Sequence, residues 1–368
     1  MQGVILYLLL FGAGMALASG VGRVERAGAG SRQQAADRVL LAGLFLLLFV
    51  PAALRIYTGN DYRTYIVRFH DVNVGNYVVT EPGFNLLVKG IYAFLGDEYF
   101  LVVFAVFAFA TVLLFLAGIY AQSRDFALSF FLFMALGMYF QTYNTVRYYF
   151  ALALVFCSMH YMAGRRYEKF VLLVLSAALF HKTALVVLPA YLLARMRWKK
   201  WYAAVLAVIS LSGLVLRTQY MALFLRLYPS YLEEEEYLAG GDLSIVNILR
   251  CVAVLLLCAV FYAQAVSGDE TVAFYMKLNI LALVMYGFFS FVPFVSRIGY
   301  YFNISQILLI PRLLRSLPER SRKVLYAVTA VAGLLYFALF LYKASDIYIK
   351  ILPYATWLSE SGPLVPVY

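Results

Sequence analysis

Ten apolar stretches, most of them close to the length of a membrane-crossing helix, follow one another along the chain with short polar breaks between them. They lie near residues 2–19, 39–56, 99–120, 126–141, 144–163, 201–216, 246–266, 272–294, 297–313 and 324–342. A bilayer core of about 30 Å takes roughly 20 apolar residues as a helix, and only helices or closed barrels satisfy their backbone groups in hydrocarbon. Composition agrees: 64% of the 368 residues are apolar and 13% are charged, against about 45–50% and about 25% in soluble domains. These figures exclude a soluble globular protein and a disordered one. The expectation is an all-α polytopic membrane protein with about 10 full spans, built as a single transmembrane helical domain over 1–368 with no soluble domain. The first stretch has no basic region before it and no small-residue cleavage site after it, so it reads as a span rather than a signal peptide. Cys157, Cys251 and Cys258 all sit inside apolar runs, and three such thiols give neither a disulfide framework nor a metal-ligand spacing.

Lys and Arg collect in the short cytoplasmic loops of membrane proteins. Four basic clusters stand out: Arg23, Arg26, Arg32 and Arg38; Arg165, Arg166 and Lys169; Arg195, Arg197, Lys199 and Lys200; and Arg312, Arg315, Arg320, Arg322 and Lys323. Placing them inside, with the turns at 123–125 and 268–270, gives the inner loops 17 basic and 7 acidic residues, and the outer segments 10 and 12. Parity then predicts two irregular elements. Segment 170–196 begins and ends at inner clusters, so it reads as a broken hairpin turning at Phe180, His181, Lys182 and Thr183. Segment 81–96 joins two outer stretches, so it reads as an interfacial or re-entrant helix, with Pro82 suited to its first turn. The outer loops lie near 57–98 and 217–245; the second carries the run Glu233–Glu236.

Single cations recur on the outer side, against the topological trend: Arg63, Arg68, Arg147, Lys182, Arg217, Arg226 and Arg297. Ionisable groups at membrane depth are costly and tend to be functional. Guanidinium groups bind phosphate oxygens through paired hydrogen bonds, so such a set at one membrane face suits a phosphorylated lipid headgroup.

Five short motifs carry these residues. They are Asn60-Asp61-Tyr62; Glu81-Pro82-Gly83-Phe84; Tyr139-Phe140-Gln141-Thr142-Tyr143-Asn144-Thr145-Val146-Arg147; Ala177-Ala178-Leu179-Phe180-His181-Lys182-Thr183-Ala184; and Ser296-Arg297-Ile298-Gly299-Tyr300-Tyr301-Phe302. In this order, from about residue 57 to 310, they resemble the EpsG family of Wzy-like polysaccharide polymerases. One departure is Tyr148, which stands where the family often has Gln.

The resemblance implies an enzyme of the bacterial inner membrane with a glycosyltransferase-C-like helical fold. It would polymerise oligosaccharide repeat units carried on undecaprenyl pyrophosphate. The growing glycan would move onto a new lipid-linked unit, with lipid pyrophosphate leaving, at a site facing the periplasm or exterior. Partners implied are the lipid-linked glycan, the bilayer, and a flippase and chain-length regulator; no cofactor and no nucleic acid are expected. The departing pyrophosphate needs cations or a metal. Arg147, Arg297 and Lys182 are the first candidates, with Arg63, Arg217 and Tyr300 as further substrate contacts. No outer acidic pair has Asp-x-Asp-like spacing, which points to cations rather than a metal. For the base, His181 has an intrinsic pKa suited to proton transfer near neutrality; Asp61 and Glu81 are rivals. The plainer roles are a helix cap for Asp61 and a favourable helix-start charge for Glu81. An O-antigen ligase or another lipid-linked glycosyltransferase would share the donor chemistry. A transporter or flippase fits less well, since no internal repeat or midplane charge is evident. A membrane acyltransferase lacks a His-Asp or two-His constellation.

Overall fold

The computed structural model describes residues 2–22, 31–227, 243–292, 295–346 and 349–358. Arg23, Arg26 and Glu233–Glu236 fall outside these, so the sequence readings placed on them lie outside the described residues. The helices divide into two compact units, 1–182 with 318–368, and 183–317.

The first unit contains α1 (Gln2–Gly20), α2 (Ser31–Leu54), α3 (Tyr62–Val74), α4 (Pro82–Leu95), α5 (Phe100–Gln122), α6 (Phe126–Ala135), α7 (Met138–Gln141), α8 (Val146–Ala163) and α9 (Tyr167–Ala178). The second contains α10 (Val187–Arg195), α11 (Lys200–Val215), α12 (Arg217–Leu227), α13 (Ile245–Val260), α14 (Glu270–Phe288), α15 (Val295–Asn303) and α16 (Gln306–Arg315). The last helix, α17 (Glu319–Tyr342), returns to the first unit. There β1 (Arg55–Ile56) pairs antiparallel with β2 (Ala355–Thr356). In the first unit α5 packs against α2 and α8, and α8 against α9; in the second α14 is central, touching α10, α11, α13, α15 and α16.

A helix stands at each of the ten expected places, but five are long and apolar enough to cross a membrane by themselves: Gly3–Gly20, Arg32–Leu54, Phe100–Gln122, Glu270–Phe288 and Glu319–Tyr342. The others among the described residues are shorter, interrupted or less apolar, the bent pair α11–α12 making a sixth crossing if it counts as one. The reasons are local. Stretch 126–141 breaks at Gly137, whose φ of 71° is left-handed, a conformation that costs glycine nothing. A Cβ there would also lie 2.8 Å from the Phe340 ring. Stretch 297–313 breaks between α15 and α16 because it carries amides that need partners in a dry interior. Gln306 donates to Asn279 Oδ1 at 2.6 Å, and Asn303 donates to the Tyr286 hydroxyl at 2.7 Å. Stretch 246–266 ends in a π-helical turn, Tyr262–Val266. Helix α11 bends by 82° into α12.

The first of the two irregular segments is broken at the expected turn and the second is a single helix. Segment 170–196 is interrupted after α9, and Lys182–Val186 forms a 3₁₀ turn before α10. Segment 81–96 is α4, with Pro82 in its first turn. The remainder of the 57–98 loop is not irregular: α3 fills its first half.

In the second unit Asp269 caps α14, accepting from the Thr271 and Val272 amides at 2.8 and 3.2 Å and from Arg312 Nε at 2.7 Å. Burial pushes its carboxyl up, but Arg312 and the two amides outweigh this and hold it below the usual carboxylate range. A depressed folded-state pKa adds stability above the unfolded value of about 3.9 and loses it as pH falls through the folded one. The thermal midpoint of the wild type is therefore expected to drop on acidification below about pH 4. Asp269→Asn is expected to start from a lower midpoint at neutral pH and to fall less on acidification.

Candidate functional site

Four of the five motifs meet in the first unit, and Glu81 is their hub. It is the residue before α4, in extended conformation, and its side chain makes no cap to its own helix. Instead it accepts from two distant elements. Arg147, the second residue of α8, donates Nη1 to Oε2 in a short ion pair, and the Lys182 backbone amide donates to Oε1 at 3.1 Å. The pair is largely withdrawn from solvent, with side-chain exposures of 13% for Glu81 and 12% for Arg147.

Local packing explains why the chain can do this. Gly83 lets the first turn of α4 lie against the end of α9: its amide donates to the Leu179 carbonyl at 2.9 Å, and a Cβ would sit 2.8 Å from that oxygen. Phe180 anchors the following turn, its ring 4.6 Å from Phe150 and 6.1 Å from Phe107. His181 then packs edge-on against Tyr148 at 5.3 Å. Arg147 lies over the Phe84 ring at 5.0 Å, an attraction that adds to the ion pair. Its Nε is buried with no hydrogen-bond partner, and its backbone amide donates to the buried Tyr65 hydroxyl at 3.4 Å. Lys182 exposes its amine.

Asp61 joins the cluster through its backbone. Its amide donates to Asn144 Oδ1 at 3.1 Å, and its side chain does not cap α3. Gly59, with φ of 104°, makes that approach possible: a Cβ would lie 2.4 Å from the Tyr143 carbonyl oxygen. The helix-cap role weighed for Asp61 is thus not the one found.

The other candidates lie elsewhere. Arg63 is exposed, with its guanidinium over Tyr57 at 5.3 Å, and makes no contact with Glu81 or Arg147. Arg217, Arg297 and Tyr300 belong to the second unit. Arg217 opens α12 after the 82° bend. Arg297 is exposed and Tyr300 half-buried on α15. That helix is held within its own unit, where the Tyr191 hydroxyl donates to the Tyr301 carbonyl at 2.7 Å. Among the described residues no three His, Cys, Asp or Glu side chains are grouped to hold a metal ion.

Three residues that shape the site carried no assigned role in the sequence reading: Tyr65, and Phe84 and Asn144 within their motifs. Arg55, just after α2, carried no assigned role either. That side chain is 1% exposed and is ringed by Tyr62, Phe104 and Tyr143. The dense aromatic content near 55–84 was the available signal, since a buried guanidinium needs π faces or acceptors around it.

A multi-pass helical membrane protein whose motif residues converge on a partly buried Arg–carboxylate pair is the class that fold and site define. The EpsG family model matches residues 38–356, and the chain belongs to the EpsG family. Membership supports polysaccharide polymerisation in general, with a lipid-linked glycan in the membrane as the class of substrate. No curated protein and no solved structure matches the chain.

Proposed function

We propose that the protein polymerises undecaprenyl-pyrophosphate-linked repeat units at the outer face of the bacterial inner membrane, with a glycosyltransferase-C-like architecture. The observation that carries this is the meeting of Glu81, Arg147, His181 and Lys182 in one cluster. In the reaction the bond between the anomeric carbon of the growing glycan and pyrophosphate breaks, and its electron pair leaves with the phosphate oxygen. The acceptor hydroxyl oxygen of the incoming unit forms the new glycosidic bond and gives up its proton. Arg147 and Lys182 stabilise the departing charge. The Nε of Arg147 is buried with no hydrogen-bond partner, so a phosphate oxygen brought to it would satisfy that donor. Glu81 is better suited to hold Arg147 and the Lys182 turn in place than to act as base, because its oxygens already accept two hydrogen bonds. His181 is assigned the acceptor proton, with Asp61 as the rival. Arg217, Arg297 and Tyr300 remain candidate glycan or phosphate contacts of the second unit. The distribution of basic clusters supports an outward-facing site.

The reading predicts a product ladder when purified protein in lipid receives a defined undecaprenyl-pyrophosphate repeat unit, and the same ladder with a chelator present. One unit moved once to another acceptor would instead indicate a ligase. A ladder lost on chelation would contradict charge stabilisation by side-chain cations alone.

A further inference from the structure

Beside α3 the first unit has a half-open cleft of about 680 Å³ that shares no lining residue with the Glu81–Arg147 cluster. Arg63 and Arg68 both line it. Neither has an ion-pair partner among the described residues. The one acid in the lining, Asp71, holds the Asn76 side-chain amide at 2.8 Å. The two guanidinium groups are positioned rather than loose: Arg63 lies over Tyr57 at 5.3 Å and Arg68 over Tyr65 at 5.9 Å. Around them the lining is apolar and open, with Val67 42%, Val79 75% and Tyr77 91% exposed. Exposed apolar surface is costly in water and is satisfied at a membrane interface, where Tyr is also favoured. Two unpaired guanidinium groups beside such a surface match an anion that carries a hydrocarbon chain. Guanidinium geometry favours phosphate.

We propose that this cleft is a phosphate site for the headgroup of a membrane lipid, seated between Arg63 and Arg68 and separate from the Glu81–Arg147 cluster. It goes beyond the polymerase reading, since an ordinary phospholipid would satisfy it as well as a lipid carrier.

The test is native mass spectrometry of the full-length protein in maltoside micelles, which carry no phosphate. The probes are undecaprenyl phosphate, phosphatidylglycerol and inorganic phosphate. On an Arg147→Ala background, where the Glu81–Arg147 cluster no longer takes a phosphorylated lipid, the protein is expected to bind one copy of a lipid probe that adding Arg63→Ala/Arg68→Ala weakens at least about tenfold. Undecaprenyl phosphate binding well above phosphatidylglycerol would identify a carrier-lipid site, and equal binding a phospholipid site. Binding unchanged by adding Arg63→Ala/Arg68→Ala would overturn the proposal, as would loss of every bound copy in Arg147→Ala or full displacement by inorganic phosphate. Neither arginine has an ion-pair partner among the described residues, so the double variant is expected to fold. Arg63→Gln/Arg68→Gln, which keeps more of each stem, gives the same reading if it does not.

Discussion

Replacing Arg147 by Ala is expected to reduce polymer formation by about 10²–10³-fold, the scale seen when one donor to developing charge is removed. The variant leaves the Glu81 carboxylate part-buried with, among the described residues, only the Lys182 amide as a partner. Some loss of stability accompanies that unpaired charge, so protein level and thermal midpoint are measured alongside polymer length. Arg147→Lys separates the two effects. It keeps the charge and loses the forked geometry, so it is expected to restore the midpoint more fully than the activity. Glu81→Gln completes the comparison. It retains an acceptor for the Lys182 amide but frees Arg147, and polymer yield is expected to fall less than with Arg147→Ala. Near-normal polymer from Arg147→Ala at normal protein levels would remove Arg147 from the site.

Gly59→Ala is expected to have the largest effect on stability. Two terms add at this position. The left-handed backbone, φ 104°, disfavours any side chain. The new Cβ would also fall 2.4 Å from the Tyr143 carbonyl oxygen, part of a backbone that cannot move without disturbing the contact between Asn144 and the Asp61 amide. A cost of about 3 kcal/mol or more is expected. Gly75→Ala is the control: φ is 85° there, but nothing stands within 4 Å of the added carbon, so only the backbone cost of about 1–2 kcal/mol applies. Thermal melts of the two variants in detergent measure the difference. Equal midpoints would show that the Gly59–Tyr143 approach is not maintained.

The sequence revealed helix positions well, because long apolar runs in lipid leave the backbone few alternatives. It revealed helix continuity poorly. Gly137 inside 126–141 and the amides Asn303 and Gln306 inside 297–313 barely alter a hydropathy average, yet each decides where a helix stops. The turn at Phe180–Thr183 and the helix opening at Pro82 were legible from charge parity and from proline chemistry. The partner of Glu81 was not: Arg147 is 66 residues away in sequence and the Lys182 amide 101. Periodicity carries no information about which two helix ends meet. Asp61 and Glu81 both looked like helix-start residues, and neither caps its helix through its side chain. Arg55 was missed for the opposite reason. A cation at a helix end ordinarily reaches water by its long stem, whereas this one is enclosed by tyrosine and phenylalanine rings.

The central claim is that the Glu81–Arg147 cluster holds the pyrophosphate of the lipid-linked donor. A structure of the protein with a non-transferable phosphonate analogue of that donor tests it most directly. The account predicts the phosphonate within hydrogen-bonding distance of Arg147 and close to Lys182 and His181, with Arg147 still paired to Glu81. A headgroup bound elsewhere, with the Glu81–Arg147 pair untouched, would contradict it.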